Sequence, residues 1–385
     1  MDKKQKILIV HNYYQIPGGE DTVVSNEKKM LEDNGHKVVL HTRHNTELKT
    51  LNKFEKLTLP FTSVFSFKIY FDIKKLIKSE SIDVVHVHNT LTLISPAVYY
   101  ASIKLKKPVV QTIHNFRFLC PAATFYRDGK ICEDCLSNGL KCAVKHSCYR
   151  NSKIQTLLCV INTKIHRLTG IYKKINYICL TDFNKEKLLQ HGQIKEEQIY
   201  IKPNFINSNL DVIPYDKREN QIVFVGRIDK LKGIDILLKT WKLLKSNKIK
   251  LLICGTGLME QWCNNYIKEN KLKNVEIKGF IPNDKAKEFI ANSKALILPT
   301  QWYEGFPMTV VEAFTVGTPV IGSNIGNVGN LIVENENGFK FSNEQELKNI
   351  LETKLQTFSG LDEKWINKYS QIENYKMLKD IYNNI

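Results

Sequence analysis

The sequence predicts an α/β protein of two Rossmann-like, doubly wound domains that face a central cleft. A length of 385 residues favours two domains over one. Short apolar runs alternate with helical patterns, which is typical of parallel sheets covered by helices. This alternation occurs twice, on either side of a segment that lacks any helical period. With 43% hydrophobic and 25% charged residues, the chain can bury an ordinary globular core.

Four short apolar runs in the first half predict buried parallel strands. The first run is followed by a turn at Pro17, Gly18 and Gly19, and a helical pattern then continues until about Gly35. The predicted strands are residues 6–11, 36–41, 83–88 and 108–114.

The second half repeats this organisation after a linker at residues 202–220, which contains Pro203, Asn204, Asn207, Asn209 and Pro214. A helical face is predicted over residues 234–244. Strands are predicted at residues 221–226, 250–254, 275–278, 295–299 and 319–321. We therefore predict an N-terminal domain at 1–203, a C-terminal domain at 204–360, and a final helix at 361–385 that returns to the N-terminal domain.

Positive charge is concentrated in the first half. The net charge is +17, and residues 101–180 contain fourteen Lys and Arg against three Asp and Glu. Such a surface attracts anions, although lysines that merely solvate a face are the alternative. Residues 46–80 mix lysines with aromatic residues, which fits surface helices or an amphipathic element that contacts membrane or acceptor. We see no signal peptide or membrane span, and expect a cytoplasmic protein.

The strongest candidate site lies in residues 300–319. A strand is followed by a loop that holds Glu304, and then by a helix that we expect to begin at Pro307, to contain Glu312 and to end near Gly317. Amides at the start of this helix would form an anion site, at Phe306, Pro307, Met308 and Thr309. The alternative is that Glu304 caps the helix and Glu312 is solvated.

Three further features follow predicted strands. Arg227 and Lys232 flank a turn, where two cations could neutralise a diphosphate, or could simply be solvated. Gly18 and Gly19 would allow the backbone to approach a phosphate or sugar. His114 ends a strand and is a candidate site residue.

Together these motifs resemble the family-four group of GT-B glycosyltransferases, over essentially the whole chain. The most specific part is the spacing Glu-x7-Glu from Glu304 to Glu312. The weaker motifs occur in the family's order: Gly18-Gly19, Thr112-Ile113-His114, Lys202-Pro203-Asn204, and Gly226-Arg227 with Lys232-Gly233. One departure is Asn330, where relatives often have Glu.

The resemblance implies a GT-B architecture, retention of anomeric configuration and no metal or other cofactor in catalysis. It implies that Arg227 and Lys232 bind the donor diphosphate, that Glu304 contacts hydroxyls of the transferred sugar, and that Glu312 holds the ribose. It further implies that His114 lies beside the sugar. The remaining donor contacts would come from Gly18 and Gly19 beneath the reacting centre, and from Phe280 and Ile281 at the base.

The predicted activity is that of a hexosyltransferase. A nucleotide-diphosphate sugar would be the donor, and a glycan or polyprenyl-diphosphate-linked glycan the acceptor, in synthesis of a bacterial surface polysaccharide such as capsule or O-antigen. The basic first half and the aromatic segment 46–80 lead us to expect a peripheral protein at the anionic inner face of the plasma membrane.

Nine cysteines are present, and several lie in an insert at residues 120–148. The spacing of Cys132 and Cys135 fits a zinc knuckle, whereas Cys142 and Cys148 are spaced more loosely. The sequence is compatible with a structural zinc, with free thiols and with a disulfide in this insert.

Two other classes of protein compete with the transferase. Residues 254–260, Cys-Gly-Thr-Gly-Leu-Met-Glu, follow a strand as in nicotinamide-dependent oxidoreductases, but Glu260 replaces the third glycine. The basic stretch and the cysteines could indicate a nucleic-acid-binding protein. The sequence contains no recognised nucleic-acid-binding fold, so we expect no nucleic acid partner.

Overall fold

The computed structural model describes residues 4–15, 18–206, 210–246 and 248–385, and it divides into two compact units. Unit 1 comprises Met1–Arg127, Cys132–Pro203 and Asn374–Ile385, and unit 2 comprises Asp128–Ile131 and Asn204–Glu373. Pro17 of the predicted first turn, and Asn207 and Asn209 of the predicted linker, lie outside the described residues.

Unit 1 is built on a six-stranded parallel sheet in the order β2-β1-β3-β4-β7-β8. The inner strands β1, β3, β4 and β7 bury nearly all their side chains, as expected for parallel strands covered by helices, whereas the edge strands β2 and β8 are partly exposed. The strands of the sheet are β1 Lys6–Tyr13, β2 Lys37–His44, β3 Val84–Asn89, β4 Val109–Ile113, β7 Asn176–Cys179 and β8 Ile199–Ile201. Two short strands outside this sheet are β5 Tyr126–Arg127 and β6 Lys130–Ile131.

The helices of unit 1 pack on this sheet or on one another. Ile69, Ile73 and Ile77 recur at helical spacing on α3 and enter the core beneath β3. The helices are α1 Gly19–Asp33, α2 Lys53–Val64, α3 Phe67–Ser79, α4 Ala97–Lys104, α5 Asp134–Ser137, α6 Lys141–Lys145, α7 Lys153–Leu168 and α8 Asp182–Leu189. The last helix of the chain, α16 Gln371–Asn384, contributes Leu378, Ile381 and Tyr382 as buried side chains.

Unit 2 has a second six-stranded parallel sheet, in the order β11-β10-β9-β12-β13-β14. This is the order 3-2-1-4-5-6 of dinucleotide-binding folds when the strands are counted within the unit. The strands are β9 Glu219–Val225, β10 Lys250–Cys254, β11 Val275–Gly279, β12 Ser293–Leu298, β13 Val320–Ser323 and β14 Gly338–Phe341.

Helices of unit 2 close both faces of its sheet. Leu237, Leu238 and Trp241 of α9 pack with Leu347 and Leu351 of α14 in one core cluster. The helices are α9 Ile234–Leu243, α10 Glu260–Glu269, α11 Asn283–Asn292, α12 Met308–Thr315, α13 Gly326–Leu331, α14 Glu344–Glu352 and α15 Glu363–Asn367.

The predicted fold class is confirmed by the two parallel Rossmann-like sheets. The prediction missed β7, β8 and β14, because strands of three or four residues are too short to show a period. It was also wrong about where α12 begins. Pro307 has ψ 103, which is extended, so it lies at the N-cap and Met308 is the first helical residue.

Each helix in the described ranges is too short or too polar to cross a bilayer.

Candidate functional site

The strand order of unit 2 brings two predicted motifs to one edge of its sheet. Strands β9 and β12 are parallel neighbours, and the order reverses between them. Ligands of open α/β sheets bind at such a point, outside the carboxyl ends of the strands. The loop after β9 carries Arg227 and Lys232, and the loop after β12 carries Glu304.

Gly233 allows these two loops to approach each other closely. Its φ is +72°, and a Cβ there would lie 1.7 Å from the carbonyl oxygen of Pro299. A side chain at position 233 would therefore push the loop after β9 away from the loop after β12.

Glu304 is held by three donors at one oxygen. Its Oε1 accepts hydrogen bonds from Lys232 Nζ at 2.6 Å, Trp302 Nε1 at 2.9 Å and Thr300 Oγ1 at 3.1 Å. The residue is only 7% exposed. The alternative that Glu304 caps α12 is wrong, because the N-cap position is Pro307 and no side chain caps this helix.

Asn327 fixes the loop that carries Glu304, and the sequence did not reveal this role. Its Nδ2 donates to the carbonyl oxygens of Glu304 and Gly305, both at 2.7 Å, and the residue is fully buried. Asn330, the residue that departs from the family pattern, instead donates through its Nδ2 to the carbonyl oxygen of Gly326 in its own helix. The available signal was an Asn between glycines directly after β13, where a helix begins.

The two predicted cations of the loop after β9 differ in their surroundings. Arg227 has a side chain that is 66% exposed, and it forms an ion pair with Asp229 at 3.3 Å. Lys232 has a side chain that is 18% exposed, and its ammonium is paired with Glu304. The alternative that these cations are simply solvated therefore fits Arg227 but does not fit Lys232.

The start of α12 lies on the same loop as Glu304. Because the first amides of a helix have no partner within it, they carry partial positive charge toward this edge of the sheet. Of the four residues predicted here, two are buried, Phe306 and Pro307, and two are half-buried, Met308 and Thr309.

Glu312 lies within α12 and is only 7% exposed, so the alternative that it is solvated is wrong. Burial raises the pKa of its carboxyl, whereas the charge of Lys287 and a hydrogen bond from Asn283 oppose this shift. The oxygens of this carboxyl can accept hydrogen bonds from hydroxyls.

The predicted base-binding residues follow β11, at the same edge of the sheet. Phe280 is 79% exposed and Ile281 is half-buried. An exposed aromatic ring at the end of a parallel strand has a free face on which a planar group could stack.

In unit 1, Gly18 is the N-cap of α1 and Gly19 is its first residue. The amide of Gly18 donates to Asp21 Oδ2 at 3.1 Å. Its φ of −131° suits any residue, and a Cβ there would meet no atom of the described residues within 4 Å, its chain neighbours aside. The described part of the fold therefore does not require a glycine at position 18 and leaves space beside it.

Glu20 follows these glycines and has an unusual carboxyl. Tyr14 Oη donates to Glu20 Oε2 at 3.0 Å. Burial raises the pKa of Glu20 to about 8, and the negative charge of Asp21 adds to this rise. The hydrogen bond from Tyr14 and the positive charge of Arg117 oppose it. At neutral pH this carboxyl is therefore mainly protonated.

His114 follows β4 and pairs with a second histidine. Its Nε2 lies 2.9 Å from Nδ1 of His88, and the two rings stack with centroids 5.2 Å apart. Burial holds the pKa of both imidazoles well below the usual range, and neighbouring positive groups add to this effect. Both rings are therefore neutral at pH 7, so His114 can form hydrogen bonds without adding charge.

A buried polar network continues from His88, and the sequence did not reveal it. Nε2 of His88 lies 3.4 Å from Glu27 Oε2. The other oxygen of Glu27 is 2.6 Å from Lys202 Nζ, which also donates to Asn374 Oδ1 at 2.9 Å. The sequence identified Lys202 only as part of a motif, because Glu27 lies 175 residues away along the chain.

The cysteines of the insert have free thiols. Within the described ranges, only Glu27, His86 and His88 place three candidate ligand atoms within 4.8 Å of one another. Cys132, Cys135, Cys142 and Cys148 do not form such a group. Burial raises the pKa of the Cys135 thiol to about 12 in the absence of a metal. The zinc knuckle stays a prediction.

Two parallel Rossmann-like units, each with candidate ligand-binding residues beyond its strands, define the GT-B class of glycosyltransferases. The sequence pattern described as Glycosyl transferases group 1 matches residues 207–368, and that of Glycosyltransferase Family 4 matches residues 17–210. The chain belongs to this family, and it is a glycosyltransferase with the GT-B fold.

Individual relatives agree with this assignment. An uncharacterized 42.6 kDa protein in the cps region of Klebsiella pneumoniae is 27% identical over 82% of this chain and 79% of its own length. The lipopolysaccharide outer core galactosyltransferase WaaB has a TM-score of 0.66 at 17% identity, over 99% of this chain and 100% of its own. HepE of Anabaena, solved with UDP-glucose, has a TM-score of 0.64 at 15% identity, over 98% and 100%.

Proposed function

We propose that the protein is a retaining glycosyltransferase that moves a sugar from a nucleotide-diphosphate sugar to a glycan or lipid-linked acceptor. The observation that carries this proposal is the 2.6 Å ion pair between Lys232 and Glu304. It lies where the strand order of unit 2 reverses, next to the start of α12. A cation, a hydroxyl-binding carboxylate and helix amides then serve one ligand that carries both phosphate and sugar.

The donor would bind to the C-terminal domain that we predicted at 204–360. Arg227, Lys232 and the first amides of α12 would bind the diphosphate and stabilise the charge that grows on it as it leaves. The exposed side chain of Arg227 would reorient onto the phosphates from its contact with Asp229. The structural neighbour HepE was solved with UDP-glucose, which supports a donor of this class.

The sugar and nucleoside would be bound by residues around the diphosphate. Glu304 would accept hydrogen bonds from hydroxyls of the transferred sugar, and Glu312 would bind those of the ribose. Phe280 and Ile281 would contact the base. The buried loop residues Phe306 and Pro307, with Met308 and Thr309, would shape the site around the diphosphate.

Catalysis would rest on electrostatic stabilisation of the leaving group. The acceptor hydroxyl would attack the anomeric carbon on the face from which the diphosphate departs, so that configuration is retained. The neutral imidazole of His114 would hydrogen-bond the sugar. The space beside Gly18 would admit the reacting groups, and Gly19 would provide the adjoining backbone.

The acceptor would bind to the N-terminal domain that we predicted at 1–203, with the chain end at 361–385 returning to it. A relative in a cps region favours capsule synthesis, and similarity to a lipopolysaccharide galactosyltransferase favours a surface glycan. The excess of positive charge at residues 101–180 favours peripheral attachment to the anionic inner face of the plasma membrane. Nucleic acid is not a partner in this proposal.

The test is a donor screen. Purified protein is incubated with UDP-, GDP- and ADP-sugars, and release of the nucleoside diphosphate is measured with and without glycan acceptors. We expect one donor to be turned over, with product of the same anomeric configuration by NMR. Glu304→Gln should then lower turnover at least tenfold. Turnover of Glu304→Gln close to wild type would remove this residue from the mechanism, and an inverted product would exclude retention.

A further inference from the structure

Half of the exposed large apolar side chains in the described ranges lie on three helices of unit 1. On α2 and α7 they recur at spacings of three and four residues, so each helix presents one apolar stripe to solvent. The stripe of α2 is Phe54, Leu57 and Phe61, and that of α7 is Ile154, Leu157, Ile161, Ile165 and Leu168. Phe67 and Phe71 of α3 complete the set.

A groove opens between α2 and α7. Its cavity volume is about 310 Å³. Most of its lining is apolar, with Leu48, Leu51, Leu59, Pro60, Leu91 and Leu158. The polar exceptions include two cations, Lys56 and Arg150, and no acidic residue lines it. An elongated apolar ligand that carries negative charge at one end fits this lining.

The groove is adjacent to the cavity beside His114. Ser63, Leu91, Cys159 and Asn162 line both spaces. The lining of the second cavity includes more polar side chains than that of the groove, among them Arg117 and Gln111, and it also lacks an acidic residue. A ligand could therefore place its apolar part between α2 and α7 and its polar part beside His114.

Each of the two spaces has an arginine beside Tyr149. The guanidinium carbon of Arg117, which lines the cavity of His114, is 5.2 Å from the ring centroid of Tyr149, and that of Arg150, which lines the groove, is 5.4 Å from the same centroid. A guanidinium group binds phosphate oxygens in bidentate geometry, so either arginine suits a phosphate group of a ligand that passes Tyr149.

We propose that this groove binds the hydrocarbon chain of a lipid-linked acceptor, and that Arg117 and Arg150 bind its diphosphate. The proposal rests on the transferase function above, and it adds where unit 1 would hold the lipid. The exposed apolar stripes lie on the same two helices, α2 and α7, that line the groove, so a lipid could enter from a membrane on which these helices rest. The glycan attached to the diphosphate would then extend into the cavity of His114.

The test measures binding of farnesyl diphosphate by calorimetry, with farnesol and inorganic pyrophosphate as partial ligands. We expect farnesyl diphosphate to bind at least tenfold more tightly than either. Arg150→Gln should weaken it about tenfold through the loss of a charged hydrogen bond. Leu59→Gln should weaken the binding of farnesyl diphosphate and leave the binding of pyrophosphate unchanged. Lys164→Gln, which removes an exposed charge of α7 outside the groove, is the matched control.

The proposal would be overturned if the wild-type protein bound farnesyl diphosphate and pyrophosphate with equal affinity. It would also be overturned if Arg150→Gln and Leu59→Gln both bound farnesyl diphosphate as tightly as wild type. Binding to phosphatidylglycerol vesicles that contain no isoprenoid is measured as well. This measurement distinguishes a specific isoprenoid site from general attraction to anionic headgroups. If Arg150→Gln weakened vesicle binding as much as farnesyl diphosphate binding, the specific site would be refuted. Thermal stabilisation by UDP, GDP and ADP is measured in parallel. Stabilisation by any of the three without farnesyl diphosphate binding would reject the lipid site alone, and absence of stabilisation by all three would count against the donor proposal alone.

Discussion

Lys232 Nζ lies 2.6 Å from Glu304 Oε1, although the two residues are 72 positions apart in the chain. Each ends up at this distance because β9 and β12 are parallel neighbours whose following loops meet at one edge of the sheet. The pair couples the loop that we assign to the diphosphate with the loop that we assign to the sugar. Its charges are already oriented before a donor binds, which is the condition for electrostatic catalysis.

Removal of this lysine should destabilise the protein as well as inactivate it. Lys232→Met leaves the Glu304 carboxylate poorly exposed and without its cation, so we expect a loss of about 3 kcal/mol in unfolding free energy. The double variant Lys232→Met with Glu304→Gln should regain most of this stability and remain inactive. Urea denaturation and donor turnover measure the two effects, and an active double variant would contradict the assigned roles.

Asn327 should be necessary for the position of Glu304. Asn327→Ala leaves the carbonyl oxygens of Glu304 and Gly305 without this donor, which should cost about 1–3 kcal/mol of stability and lower turnover. Asn330→Ala is the matched control, because Asn330 is exposed and bonds only within α13. Similar losses in the two variants, by denaturation and turnover, would show that position 327 has no special role.

Gly18→Ala should lower activity while the fold tolerates it. The added methyl group meets no atom of the described residues within 4 Å, its chain neighbours aside, and the backbone suits alanine. We expect a change in unfolding free energy below about 1 kcal/mol, as for an N-cap replacement. If the reacting groups occupy this space, turnover should fall at least tenfold. Wild-type turnover would indicate that no ligand approaches Gly18.

Glu20 should make stability depend on pH. Because its folded pKa of about 8 exceeds the ordinary Glu pKa of 4.5, its protonated form stabilises the fold, and this contribution is lost as pH rises from 4.5 through 8. Relative to wild type, Glu20→Gln should gain about 1–3 kcal/mol in unfolding free energy between pH 5 and pH 9. A difference between the two proteins that does not change with pH would mean that Glu20 titrates normally.

The sequence was sufficient for features that are local in the chain. Glu304 and Glu312 lie on one loop and helix, so their spacing alone placed them near a strand end. Strands with four or more consecutive apolar residues, such as β1, were also predictable.

Relationships across the fold could not be predicted in this way. Glu27 and Lys202 are distant in sequence, and both look like ordinary surface residues of a basic chain until packing buries them together. Asn327 was overlooked because an asparagine between glycines usually indicates a turn. The cysteines show a further limit of the sequence, since their spacing suits zinc but does not decide between a metal site, free thiols and a disulfide.

We assign diphosphate binding in unit 2 to the loop after β9 and the start of α12. Calorimetric titration with UDP and UMP, with GDP and GMP, and with ADP and AMP tests this assignment. We predict that one nucleoside diphosphate binds at least tenfold more tightly than its monophosphate, and that Arg227→Gln combined with Lys232→Met removes this preference. Equal affinity for diphosphate and monophosphate in the wild-type protein, or a preference that survives both substitutions, would contradict the account.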